Sequence, residues 1–288
     1  MSRLMKNGRL MGRGAYALPS IFTAGTIFCG YYSIMKTIQA ISLPAERLGE
    51  AASIFDLAAI AIGVAVFTDG MDGRIARITN TVSDFGKELD SLADVITFGI
   101  APALLAFAWG IHLINPATGG IFSEHFTRLG YFLTFVFLVC GATRLARFNV
   151  QRDPVPKNPG RLGRKYFVGL PIPSSAAMLG AVVHFWGGYP IRSWWPAGLM
   201  WLGLLGLLSF LMVCTWRYYS FKEFNLLQQR SRLMVVPIAI MIYLIWGFSQ
   251  PVLLAMATTY VGSGIVVRLG GMLRRKVKHL PQPEHQTN

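Results

Sequence analysis

Residues 69–94 read D-G-M-D-G-R-I-A-R-I-T-N-T-V-S-D-F-G-K-E-L-D-S-L-A-D, and within them Asp69, Asp72, Asp90 and Asp94 are spaced by three, eighteen and four. An apolar run, Ala51–Thr68, leads into this stretch, and a second, Leu89–Ile111, carries its last two carboxylates. If the first run is a helix that continues past Asp69, then Asp69, Asp72 and Ala76 share one face at i, i+3 and i+7, with Gly73 beside them. Asp90 and Asp94 share a face of the next helix at i and i+4. Gly86 precedes that helix and suits a tight turn. The pattern predicts two helices whose acidic edges converge at a membrane surface. An Asp at the centre of a spanning helix costs about 2.5–3.5 kcal/mol. Four of them beside a membrane therefore call for a functional reason.

The surrounding chain supports a membrane setting. Of 288 residues, 53% are hydrophobic and only 14% charged, with mean hydropathy +0.47. That composition places the chain among polytopic membrane proteins. Eight apolar segments run near Tyr16–Met35, Ala51–Thr68, Leu89–Ile111, Leu129–Thr143, Phe167–Trp186, Pro196–Cys214, Leu233–Phe248 and Pro251–Val267. Several approach the roughly 20 residues needed to span, and the fourth can lengthen through the RLARFN stretch. The expected fold is an all-α polytopic membrane protein with about eight transmembrane helices.

Net charge is +14, which by itself admits a nucleic-acid partner. Threading the eight segments through a bilayer puts 23 of the 27 Lys and Arg on one side, leaving Lys36, Arg47, Arg128 and Arg192 on the other. This bias predicts both termini, and the acidic stretch, on the cytoplasmic side of the inner membrane. It also accounts for the charge without nucleic acid. The N-terminal basic stretch (residues 1–15) lacks a cleavage site followed by a soluble domain, so the next apolar run is expected to be a spanning helix rather than a signal peptide. Residues 16–225 are expected to form the main transmembrane domain, 226–272 two additional helices, and 273–288 a polar tail expected to be disordered. Cys29, Cys140 and Cys214 each lie in an apolar stretch and suit neither disulfides nor zinc. The five His residues are scattered and make no i, i+4 metal pair.

Like charges 4 Å apart repel by about 4 kcal/mol at an effective dielectric near 20. Mg²⁺ or Mn²⁺, hard cations that take oxygen ligands, remove that repulsion. Two such ions side by side are a recurring solution for phosphoryl chemistry. Gly73 and Ala76 let a phosphate or nucleotide approach the backbone, and Arg77 offers a forked hydrogen-bond donor. Any one of these Asp residues alone is as readily a helix cap. The set of four is not. A divalent-cation transporter is the rival of another class, but transport sites lie near the bilayer midplane at broken helices. A cation path has no need of Gly73 or Arg77.

The pattern D-x2-D-G-x2-A-R-x8-G-x3-D-x3-D resembles the signature of the CDP-alcohol phosphotransferases. It is met by Asp69, Asp72, Gly73, Ala76, Arg77, Gly86, Asp90 and Asp94. Eight fixed positions match by chance on the order of 10⁻¹⁰ per start point. Further stretches are similar to the membrane-embedded phosphatidylserine synthase branch: IFTAGTIFCGYYSI at 21–34, LDSLADVITFGIAPA around Asp90, CGATRLARFN at 140–149, FVGLPIPSSAA at 167–177 and LMVCTWRYYSFKEF at 211–224. The resemblance covers roughly residues 15–225. It implies a catalytic core made of the first six helices, and a homodimer. It implies transfer of a phosphatidyl group from CDP-diacylglycerol to L-serine, with release of CMP. Asp69, Asp72 and Asp90 match its metal ligands. Asp94 matches its general base and a further metal contact, and Asp72, Gly73, Ala76 and Arg77 its CDP-contacting positions. Sister enzymes acting on glycerol 3-phosphate, inositol phosphate or choline share the acidic motif.

Outside the motif, Arg144, Arg147 and Asn149 share one end of the fourth segment and are candidate contacts for serine or phosphate. The plainer reading is anchoring to anionic headgroups, which applies equally to Arg217 and Lys222. Gly169–Ser175 reads as a rigid, proline-set entry to the fifth helix. Asp56 reads as a carboxylate near the start of the second helix. Trp194, Trp195, Tyr218 and Tyr219 read as interface belts.

Overall fold

The computed structural model describes residues 2–78, 84–114, 121–150, 166–192, 195–219 and 235–278. They form eight helical rods. The first two are α1 (Ser2–Ile41) and α2 (Leu48–Ile78). The third is a composite of α3 (Asp84–Asp94), a π-helical stretch (Val95–Ile100), α4 (Ala101–Phe107) and a second π-helical stretch (Ala108–His112). Then come α5 (Ile121–Val150), α6 (Ile172–Phe185), α7 (Trp195–Val213), α8 (Val235–Gly247) and α9 (Ser249–Lys278). The chain is an all-α polytopic membrane protein. Five described helices are long and apolar enough to cross a bilayer: Ala45–Met71, Glu88–His112, Glu124–Val150, Pro196–Val213 and Ser249–Arg268. At 14 and 13 residues, α6 and α8 are shorter than a full crossing.

Several local expectations are corrected. Gly86 lies inside α3 rather than in a turn before it. The fifth helix starts at Ile172, not near Phe167, because β1 (Tyr166–Val168) pairs antiparallel with β2 (Arg217–Tyr219). Pro171 takes the N-cap in extended conformation and Pro173 sits in the first turn, where a missing N–H costs nothing. Tyr218 is not an interface residue but fully buried. The last helix extends to Lys278, past the expected start of the tail.

The π-helical stretch after Asp94 follows from Pro102. Proline has no N–H and its ring crowds the carbonyl four residues back. The helix responds by widening one turn upstream, with the Ala101 N–H reaching Ile96 O. This widening lies directly behind the second pair of carboxylates. The core beneath them is built from α2, α4, α6 and α7. Phe55, Ile62, Phe98, Leu105, Trp109, Leu179 and Leu205 are all fully buried. The indole N–H groups of Trp109 and Trp201 donate to Gly188 O at 3.1 Å and Ala106 O at 3.0 Å, so neither indole leaves a polar group unpaired.

Candidate active site

The two acidic helices are held together by threonines close to the carboxylates in sequence. The Thr26 and Thr68 hydroxyls lie 3.1 Å apart, and the Thr97 hydroxyl donates to Thr26 O at 3.1 Å. Thr68 precedes Asp69, and Thr97 lies three residues after Asp94. Through α1, these bonds fix the relative position of α2 and α3. Gly30 of α1 faces Thr97 so closely that a Cβ there would overlap its side chain.

On this frame Asp69, Asp90 and Asp94 each bring a carboxylate oxygen within 4.8 Å of the others, and Asp94 is the most enclosed. The convergence expected from the spacing is met for these three. Asp72, Gly73, Ala76 and Arg77 continue along α2, which runs unbroken to Ile78. Their side chains lie outside the described part of the structure. Asp94 interacts electrostatically with Asp69, Asp90 and Arg144, and shares a hydrogen bond with Asp69. Its Oδ1 is buried without a hydrogen-bond partner among the described residues. A buried carboxylate oxygen left unpaired among other carboxylates is unfavourable. A hard cation is the group that answers it, and an all-oxygen donor set suits Mg²⁺ or Mn²⁺. The residues present therefore fit the metal that the motif implies.

The end of α5 supplies the cationic side. Arg144 is buried, at 7% exposure, within electrostatic reach of Asp94 and Tyr260. Its guanidinium lies 5.6 Å from the centre of the Phe148 ring, a cation–π arrangement. Arg147 points elsewhere and donates to Val213 O at 3.1 Å and Val168 O at 3.2 Å. It thus ties the end of α7 to the ribbon, with a cation at a helix C-terminus. Asn149 donates to the Ser91 hydroxyl at 2.8 Å, fastening α5 to the turn of α3 that carries Asp90. Arg217 has its backbone in β2, its side chain outside the described part, and Lys222 is outside the described residues.

Two polar groupings escaped the sequence reading. Asp56 does not merely favour a helix start. Its Oδ1 lies 2.6 Å from His184 Nδ1, and His184 Nε2 lies 2.9 Å from the Ser249 hydroxyl. Asp56 and His184 are 128 residues apart, and no local pattern signals such a pair. The second grouping is Tyr218 with Tyr260, whose ring centres lie 6.0 Å apart. Burial, with Cys214 and Tyr260 nearby, pushes the Tyr218 phenol above its ordinary range.

A family model described as CDP-alcohol phosphatidyltransferase matches residues 16–209. A CDP-diacylglycerol–serine O-phosphatidyltransferase of Helicobacter pylori is 33% identical over 217 residues, covering 72% of this chain and 74% of its own. A Bacillus subtilis protein of the same name is 29% identical over 206 residues, covering 72% and 92%. A Saccharomyces cerevisiae one is 36% identical over 152 residues, covering 53% and 48%.

Proposed function

The chain belongs to the CDP-alcohol phosphatidyltransferase family, and from that premise we propose that it transfers the phosphatidyl group of CDP-diacylglycerol to the hydroxyl of L-serine. The products are phosphatidylserine and CMP. The observation that carries this reading is the trio Asp69, Asp90 and Asp94, with an unpaired buried oxygen on Asp94 and buried Arg144 within its reach. The names of the Helicobacter, Bacillus and Saccharomyces relatives support serine as acceptor.

Each residue has a role in this reading. Asp69, Asp72, Asp90 and Asp94 would hold Mg²⁺ or Mn²⁺, as two ions. When bound, such ions supply charge stabilisation to the phosphate oxygens of the diphosphate. Gly73 and Ala76 keep the second helix low where the CDP moiety lies, and Arg77 binds a phosphate through its fork. The serine hydroxyl is a weak nucleophile at neutral pH and needs a base within hydrogen-bond reach. Asp94 accepts its proton as the new O–P bond forms at the phosphorus that carries the diacylglycerol. The P–O bond to CMP breaks and CMP leaves with that electron pair. Arg144 takes the serine carboxylate. Arg147 and Asn149 set the position of the α5 end rather than touching the acceptor.

A lipid substrate requires a site at membrane level, while nucleotide and serine require water. The carboxylates sit where α2 and α3 leave their apolar runs, which satisfies both needs. The charge bias supports that edge, and both termini, facing the cytoplasmic side of the inner membrane. The protein works as a homodimer in this reading. Purified protein with CDP-diacylglycerol and Mg²⁺ or Mn²⁺, offered serine, glycerol 3-phosphate, inositol phosphate and choline in turn, should yield phosphatidylserine with serine. Turnover with glycerol 3-phosphate that equals or exceeds turnover with serine would overturn the serine assignment. Absence of CMP release with every acceptor would overturn the enzyme reading.

A further inference from the structure

The family match ends at residue 209, yet α9 lies against α6 and reaches the site. The two helices run antiparallel and are pinned at both ends. At one end Ser249 of α9 meets His184, near the C-terminus of α6. At the other end Tyr260 of α9 is hydrogen-bonded to Ser174, in the first turn of α6. Eleven residues separate Ser249 from Tyr260, and ten separate Ser174 from His184. At 1.5 Å per residue these are spans of about 16 and 15 Å, so both contacts are made by straight helices in register. One turn beyond Tyr260, Gly264 lies against the ring of Tyr218, and a Cβ there would overlap that ring. The glycine lets α9 close on the ribbon. The Tyr218 hydroxyl, fully buried beside it, has no hydrogen-bond partner among the described residues.

We propose that Tyr260 is a positioning and specificity-determining residue of the acceptor subsite, supplied to the family core by an additional helix. Its hydroxyl, held by Ser174 and near Arg144, donates a hydrogen bond to the acceptor's carboxylate beside the guanidinium. This inference rests on the serine reading, because it assigns Arg144 and Tyr260 to the same carboxylate. A bidentate cation with one neutral donor beside it suits a single carboxylate. A dianionic phosphate calls for more cations than Arg144 alone.

The test is Tyr260→Phe, which keeps the ring and its packing and removes only the hydroxyl. A hydrogen bond to a charged group, at about 1.5 kcal/mol or more, corresponds to about a tenfold effect on affinity. The KM for serine should rise about tenfold. The KM for CDP-diacylglycerol should stay unchanged and kcat should alter less than about threefold, while the thermal midpoint in detergent should fall no further than in Ser174→Ala, which loses the same hydrogen bond. Ser174→Ala, which frees the Tyr260 hydroxyl to turn, should raise the serine KM in the same direction by a smaller factor. An unchanged serine KM in Tyr260→Phe, with active wild-type protein, overturns the role of Tyr260 and leaves the serine reading standing. Equal losses for both substrates, with a lowered thermal midpoint, mark a purely structural tyrosine and overturn it too. Wild-type protein that forms no phosphatidylserine overturns the serine reading and this inference with it.

Discussion

Asp94 differs from Asp69 and Asp90 in its enclosure and in its unpaired, buried Oδ1. A general base should contribute roughly 10² to 10⁴ to the rate. Asp94→Asn, which keeps shape and removes basicity, is therefore expected to lose at least ~100-fold in phosphatidyl transfer while CDP-diacylglycerol still binds. Steady-state turnover alongside a binding titration measures both, and turnover within tenfold of wild type would remove Asp94 from that role. Asp69→Asn should act through the ion instead. The metal concentration for half-maximal activity should rise ~10-fold or more, and excess Mg²⁺ or Mn²⁺ should recover part of the lost rate. Chelation should abolish wild-type activity reversibly. Convergence of the acidic trio was legible in the sequence because helical spacing sets which residues share an edge. Arg147 was flagged by its charge, but its partners are the backbone carbonyls of Val213 and Val168. Carbonyl groups occur at every residue, so no pattern of side chains announces them.

Between elements, the ribbon decides how α5, α6 and α7 meet beside the site. Gly169, with φ of 79°, follows β1, and its N–H donates to Trp216 O at 2.8 Å. A side chain there would meet the Met212 carbonyl as well as adopt a disfavoured backbone conformation. Gly169→Ala should destabilise the protein by about 1–3 kcal/mol, read as a lower thermal midpoint in detergent. Arg147→Met, which keeps much of the stem and removes both hydrogen bonds, should lower the midpoint too. It should raise the KM for serine more than it lowers kcat, since the end of α5 also carries Arg144. A midpoint unchanged in both variants would mean that the ribbon does not brace the site. Hydropathy could not reveal the ribbon. Two strands of three residues are too short for a period-two signal, and the apolar FVGLP run reads as the start of a helix. Hydropathy did reveal the rods themselves, including the extension of α5 through Arg144, Arg147 and Asn149 to Val150.

Across the whole molecule, α2 carries both Asp56, the partner of His184, and Asp69 of the acidic trio. Thirteen residues separate Asp56 from Asp69, about 20 Å along a helix axis, so the His184 pair and the acidic trio lie toward opposite ends of α2. The first braces α9 against the core and the second carries the chemistry. His184→Ala leaves Asp56 and Ser249 without their shared partner, which should cost about 1–3 kcal/mol. It should lower the thermal midpoint while leaving metal dependence unchanged. The same polarity makes orientation testable. Threaded through a bilayer, the eight apolar segments put 23 of the 27 Lys and Arg on the side of Asp69 and Asp94, and that side is expected to face the cytoplasm. A fluorescent protein fused after Asn288 should glow, and an alkaline phosphatase fused there should be inactive. Cys29, Cys140 and Cys214 are all partly buried, which leaves a low background for thiol labelling. A cysteine at Arg192, on the other side in that threading, should then react with a membrane-impermeant reagent in intact cells, and one at Asn288 only after lysis. The reverse labelling would put the acidic trio on the outer face, away from cytoplasmic nucleotide, and would overturn the assigned orientation together with the route by which CDP and serine reach the lipid.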